Sequence, residues 1–167
     1  MDKVMKGRAL KYGDNINTDI ISPPQYMELS IPESAQYAMS AVDPDFYKKI
    51  RVDTILVAGS NFGSGSSRET SPLTLKYLGL KIIVAKFFAR IFYRNGINLG
   101  LVLLECPQAD AIHTNDVIEI DLQKGKICNL TKSETYSCSR IPDHILSLIE
   151  DGGLAESLKK KYQGNDF

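Results

Sequence analysis

The chain has 167 residues, enough for one ordinary domain around a single hydrophobic core. Hydrophobic residues make up 43% and charged residues 24%, which excludes an intrinsically disordered chain and fits a soluble globular one. Basic and acidic residues, 20 of each, cancel to a net charge of +0, so the overall balance points to neither a nucleic-acid nor an acidic-membrane partner.

In chain order, Met1–Lys6 lacks the apolar stretch of a secretory leader, and no run reaches the ~18 apolar residues of a membrane span. A cytoplasmic location is therefore expected. Lys6–Tyr12 alternates and predicts a strand, and the turn-rich run Gly13–Asp19 follows it. Pro23 and Pro24 close any regular element, so Gln25–Ser30 reads as a loop. Ile31–Val42 carries a helical pattern, with Pro32 and Glu33 suited to a first turn. Thr54–Ala58 is a β-branched apolar run and predicts a buried strand. After a glycine- and serine-rich turn, a helix is predicted from Arg68 to Leu78, stopped by Gly79. Lys81–Ala85 completes a βαβ unit with two parallel strands.

Phe87–Arg94 predicts another helix, and Gly100–Leu104 a third buried strand. Asp116–Asp121 and Lys126–Leu130 alternate on either side of Lys124-Gly125, a hairpin signal. Ile141–Ile149 and Leu154–Tyr162 predict two closing helices around Asp151-Gly152-Gly153. A parallel core joined to antiparallel strands implies an α/β fold in three layers with a mixed sheet, not a clean doubly wound one, over a single domain of residues 1–167.

Cys106, Cys128 and Cys138 form no C-x-x-C and have no histidine pair nearby, so neither zinc nor an iron–sulfur cluster is expected on this chain. His113 and His144 read as surface or helix-cap residues. Chemistry concentrates in Gly59-Ser60-Asn61-Phe62-Gly63-Ser64-Gly65-Ser66-Ser67-Arg68-Glu69, which joins a predicted strand to a predicted helix. Glycines there let backbone approach a ligand, and an arginine at such a turn suits capture of a carboxylate. Ser66-Ser67-Arg68-Glu69 also satisfies the S-x-x-E capping box, in which these side chains merely finish a helix end. Walker A, G-x-G-x-x-G and G-x-S-x-G patterns all fail. Residue chemistry alone leaves capping and ligand binding both open.

Asn61–Glu69 closely resembles the signature of the aconitase swivelling-domain family. Gly13–Ile21 resembles the family's early D-x-x-x-T-D loop, and Phe88–Gly100 its second signature. The likeness spans about Lys6 to Leu158, and the chain's length is similar to that of the separate small subunits of isopropylmalate isomerase and homoaconitase. The resemblance implies a β/β/α swivelling domain working as half of a two-chain hydro-lyase, which isomerises 2- and 3-isopropylmalate in leucine biosynthesis. It implies Ser66 as the base, Ser67 and Arg68 on a substrate carboxylate, and Asp19 with Thr18 orienting the site. Asn61, Gly63 and Gly65 shape the loop. It places a [4Fe-4S] cluster in the large subunit and none on this chain. Partners are then that subunit and a small dicarboxylate, with no nucleic acid and no membrane. The loop Tyr26-Met27-Glu28-Leu29 aligns with the family's specificity loop, with Glu28 at the selecting position. An anion there disfavours a third carboxylate, and either Met27 or Leu29 faces the alkyl group or the substrate is another alkyl-malate, such as citramalate or dimethylmalate. The alternatives carried forward are such a dehydratase, a homoaconitase, a non-catalytic anion-binding domain, and a phosphate or nucleotide binder.

Overall fold

The computed structural model describes residues 3–163; the outer ends of the expected 1–167 domain, and the first two residues of the Met1–Lys6 segment, lie outside them. Seven strands form one sheet in the order β4-β3-β2-β1-β5-β6-β7. They are β1 (Val4–Lys11), β2 (Thr54–Ala58), β3 (Ile82–Ala85), β4 (Val102–Glu105), β5 (Val117–Asp121), β6 (Lys126–Asn129) and β7 (Glu134–Ser137). β1 to β4 are parallel, while β5 lies antiparallel to β1, and β6 and β7 continue antiparallel.

Each step from β1 to β4 moves to the next strand in the same direction. Right-handed crossovers therefore bring all the connecting helices to one face. These are α1 (Thr18–Ile21), α2 (Ile31–Ser34) and α3 (Phe46–Lys49), then α4 (Thr70–Tyr77) and α5 (Arg90–Asn98). Every residue of β2 and β3 is buried, so the other face is covered as well. The sheet supplies that cover by curling. Ser139, just past β7, donates its backbone N–H to Glu105 O of β4 (2.9 Å), and its Oγ accepts the Glu105 N–H (3.0 Å). The two outer edges thus meet, and Ile118, Ile120, Ile127 and Tyr136 share one apolar cluster with Leu56, Ile83 and Leu103. Helices, parallel strands and antiparallel strands make the three expected layers. Two helices, α6 (Asp143–Glu150) and α7 (Leu154–Gln163), close the chain.

Several expected elements differ. Ile31–Val42 is not one helix: α2 ends at Ser34, a 3-10 turn covers Ala35–Tyr37, and Met39 takes φ +60°, which no helix continues through. Gln25–Ser30 is a loop except that a 3-10 turn runs Pro24–Tyr26. Gly13–Asp19, read as a turn, ends in α1, capped by Asn17, whose side chain accepts the Ile20 N–H at 2.9 Å. The helix expected over Phe87–Arg94 runs later, from Arg90 to Asn98, because Phe88 instead bridges to Phe62 as short extended chain.

Candidate active site

The predicted helix over Arg68–Leu78 begins at Thr70, and Pro72 explains the shift. A helix capped at Ser66 would place Pro72 in its interior, where it lacks the required N–H and collides with the carbonyl four residues back. Starting at Thr70 puts Pro72 in the first turn, where the N–H has no helical partner in any case. Ser66, Ser67 and Arg68 consequently lie in the loop before the helix. The capping box is not formed: Glu69 is the N-cap residue without a side-chain cap, and Ser66 Oγ accepts from the Arg68 N–H (3.1 Å).

The loop is held from three sides. The β1–α1 segment runs alongside: Asp14 accepts the Ser60 N–H (2.8 Å), and Gly63 N–H donates to Ile16 O (2.7 Å). Thr18 makes the closest set of contacts. Its N–H donates to Ser64 O (2.8 Å), its Oγ1 accepts the Ser66 N–H (2.9 Å), and its carbonyl accepts from Ser71 Oγ (3.3 Å). Beneath, Phe62 packs edge-on against Phe88 (5.8 Å) and Phe92 (5.2 Å), giving the loop a fixed aromatic floor. From α5, Asn95 donates to Ser67 O (3.2 Å). Gly63 (φ +82°) and Gly65 (φ +116°) adopt left-handed backbone that favours glycine. A Cβ on Gly63 would sit 2.2 Å from Phe92 Cγ, and one on Gly65 2.8 Å from Thr18 Oγ1.

These constraints open a cleft of about 190 Å³ lined by Ser66 and Arg68 together with Thr18, Asp19, Met27 and Ser71. The Arg68 guanidinium donates to Met27 Sδ (2.9 Å). It has no carboxylate partner among the described residues. A second hollow of about 120 Å³ adjoins it through Ser22, Met27 and Thr70, and adds Tyr26, Leu29 and Ile31. Tyr26 is fixed there by stacking on Tyr37 (3.8 Å between centroids).

Of the residues expected at a site, the fold brings Ser66, Arg68, Thr18, Asp19 and Met27 into one cleft, with Tyr26 and Leu29 next door. Glu28 lines neither hollow and is exposed. Ser67 is also exposed and outside the cleft lining, and engages α5 through its carbonyl. Asn61, at φ +59°, reaches back to Asn15 (3.3 Å) and shapes the loop from outside the cleft. Sequence reasoning missed Ser22, Thr70 and Ser71 as lining residues, and it singled out no partner for Asn95. Ser22 Oγ is buried between the hollows with no hydrogen-bond partner among the described residues.

The cysteines do not suit a cluster. Cys106 is fully buried, and burial pushes its thiol up; burial also pushes Cys138 up to about 12, so neither is a ready thiolate ligand. Among the described residues no group of three His, Cys, Asp or Glu side chains is placed to hold a metal ion. His113 and His144 are exposed and line neither hollow. No helix among the described residues is long and apolar enough to cross a membrane.

Comparison with known proteins follows the same geometry. A family model described as the aconitase C-terminal domain matches residues 11–109. The chain is 48% identical over 157 residues to a 3-isopropylmalate dehydratase small subunit of Methanosarcina acetivorans, covering 93% of this chain and 97% of that protein. It is 45% identical over 163 residues to an isopropylmalate/citramalate isomerase small subunit of Methanocaldococcus jannaschii, covering 96% and 97%. A crystal structure of 3-isopropylmalate dehydratase from that organism superposes with a TM-score of 0.88 at 41% identity, over 96% of each chain.

Proposed function

Because this chain belongs to the aconitase C-terminal domain family, we propose that it is the small subunit of a two-chain hydro-lyase that interconverts 2-isopropylmalate and 3-isopropylmalate. The reaction is dehydration followed by rehydration, a step of leucine biosynthesis. The observation that carries this reading is the joint presence of Ser66 and an acid-free Arg68 in one small cleft.

Ser66 takes the proton from the carbon next to the hydroxyl-bearing one, and returns it in the reverse sense. A serine is a weak base unless its alkoxide is stabilised, and here the Arg68 N–H already donates to Ser66 Oγ. The guanidinium of Arg68, free of protein carboxylates, pairs with a substrate carboxylate in a bidentate manner. Thr18 fixes the Ser66 backbone, and Asp19 stands at the cleft beside it. Ser67 acts at the rim, while Asn61, Gly63 and Gly65 set the loop's path. The iron–sulfur cluster expected on the large subunit supplies the Lewis acid for the departing hydroxyl. This chain works as one swivelling domain and is inactive alone.

The substrate's alkyl group goes to Met27 and the hollow of Tyr26, Leu29 and Ile31, which supports an alkyl-malate. Arg68 is the only cation lining either hollow among the described residues, and it is already assigned to the malate carboxylate. A third carboxylate would be left unpaired, which disfavours homoaconitase chemistry. Citramalate, with a smaller alkyl group, is the second reading: the hollow accepts it, and one similar protein is named for both activities.

The test is anaerobic mixing of the purified chain with its cluster-bearing large subunit. In the Ser66→Ala chain, complex formation persists while turnover falls by about 10²–10⁴-fold. Unchanged turnover removes the assigned base.

A further inference from the structure

A hollow larger than the catalytic cleft lies along α5. It is a groove of about 610 Å³, lined by Phe87, Phe88, Arg90, Tyr93, Arg94 and Ile97. Three large apolar side chains stand exposed within seven residues: Phe87 at 51%, Ile91 at 50% and Tyr93 at 38%. Arg90 and Arg94 lie one helical turn apart on this face, and neither has an ion-pair or hydrogen-bond partner among the described residues. Some cations elsewhere on the surface are paired. Lys86 meets Asp110 (2.6 Å) and Lys49 meets Asp43 (2.7 Å). Within the groove, Glu105 is the nearest acid by lining, but it accepts from the Phe88 N–H (3.3 Å) rather than from either arginine.

We infer that this face of α5, with Phe87, is where the cluster-bearing large subunit seats, presenting an acidic segment with an apolar residue among its carboxylates. The inference rests on the reading of the chain as half of a two-chain enzyme. Two observations select that occupant. The first is continuity with the site: Asn95 of the same helix holds Ser67 O, and Phe92 lies under Gly63, so α5 and the catalytic loop are one rigid piece. A partner that brings its cluster to Ser66 and Arg68 needs roughly 800 Å² of contact on each side, far more than the small cleft's rim, and α5 is the adjoining surface. The second is charge. Two unpaired guanidiniums beside exposed aromatics are the composition of an interface centre rather than of a solvated helix face, and they call for carboxylates opposite.

The experiment titrates the labelled small chain with the cluster-bearing large subunit at low and moderate salt, and measures dissociation constant and turnover separately. The Arg90→Glu/Arg94→Glu chain should bind about 10–100-fold more weakly, and its affinity should lose most of the salt dependence of the unaltered pair. At saturating large subunit its turnover should return to within about threefold of normal, because neither arginine lines the catalytic cleft. Phe87→Asp should weaken binding similarly, while Lys126→Glu, at an exposed position of β6, should not. Should the double charge reversal perturb folding, Arg90→Gln/Arg94→Gln tests the same point. Unchanged affinity in the charge variants and in Phe87→Asp overturns the docking surface while leaving the catalytic reading intact. Tight assembly of the unaltered chains without isopropylmalate turnover sinks the catalytic reading instead. Saturable binding of a small organic anion in the groove, persisting in the assembled pair, also overturns the docking surface.

Discussion

Thr18→Val tests how strongly the Ser66–Arg68 loop depends on a residue 48 positions away in the chain. Thr18 is 4% exposed and its Oγ1 accepts the Ser66 N–H at 2.9 Å. Valine keeps the shape but presents a methyl group, which cannot remain at hydrogen-bonding distance from a nitrogen; ordinary contact needs about 3.5–4.0 Å. The loop then retreats by roughly 0.5–1 Å, and a displacement of ~1 Å in a reacting group costs on the order of 10²-fold in rate. The orphaned Ser66 N–H costs a further ~1–3 kcal/mol of stability. At ~2–4 °C per kcal/mol for a chain of this size, Tm falls by about 2–12 °C. Steady-state kinetics of the reconstituted pair should show the loss in kcat, with KM changed less, since Arg68 is not bonded to Thr18. Thr18→Ser keeps the acceptor and should stay within a few-fold of normal. The reasoning fails if Thr18→Val retains kcat within twofold, or if Thr18→Ser loses as much as Thr18→Val.

Gly63→Ala combines a left-handed φ of +82° with a Cβ 2.2 Å from Phe92 Cγ, so thermal denaturation should report a loss of about 2–5 kcal/mol. A loss below ~1 kcal/mol would mean that the aromatic floor yields freely. In the Tyr26–Leu29 loop, Glu28→Gln should leave KM for isopropylmalate within about twofold, whereas Met27→Ala should raise it by roughly 10-fold or more, the worth of a lost apolar contact. The opposite ranking would put Glu28 at the substrate. Asp116, 5% exposed, is pushed up by burial. The His113 N–H (2.9 Å), the Asn129 amide (2.8 Å) and Lys132 (3.5 Å) outweigh this and hold its carboxyl below the usual value. A depressed folded-state pKa stabilises the fold above the unfolded value of about 4, and that stability is lost as pH falls through the folded one. Tm should therefore be flat down to about pH 5 and fall below about pH 4. Asp116→Asn should lower Tm at pH 7 and flatten the acid limb; an unchanged acid limb would acquit this carboxylate.

Strands β2, β3 and β4 were legible because they are buried on both faces, leaving continuous apolar runs at Thr54–Ala58, Ile82–Ala85 and Val102–Leu104. β7 was not. Its Glu134-Thr135-Tyr136-Ser137 buries Tyr136 alone and exposes the rest, so pairing with β6 makes it a strand and no pattern announces it. α3 was also missed, being a single turn whose only buried residue is Phe46. In the site, Ser66 and Arg68 were legible through family likeness, but the latch by Thr18 joins two loops whose proximity only the β1–β2 pairing creates. The same holds for Asn95, whose partner Ser67 lies across the β2–α4–β3 crossover.

The choice between a capped helix end and an open loop was nonetheless present in the letters, at Pro72 rather than at the serines. S-x-x-E is satisfied at Ser66–Glu69, yet a helix starting there would carry a proline in its second turn, costing ~3 kcal/mol or more against the ~1 kcal/mol a cap contributes. The proline penalty exceeds the gain from the cap, so the helix retreats to Thr70, and three residues that would have been helix remain loop. In the loop so left, the Ser66 N–H donates to Thr18, and the Arg68 guanidinium meets Met27 with no acid to satisfy it. Proline position therefore carries the structural information that the serine motif, alone, leaves ambiguous: it keeps a hydroxyl and a cation off the helix and in the same cleft.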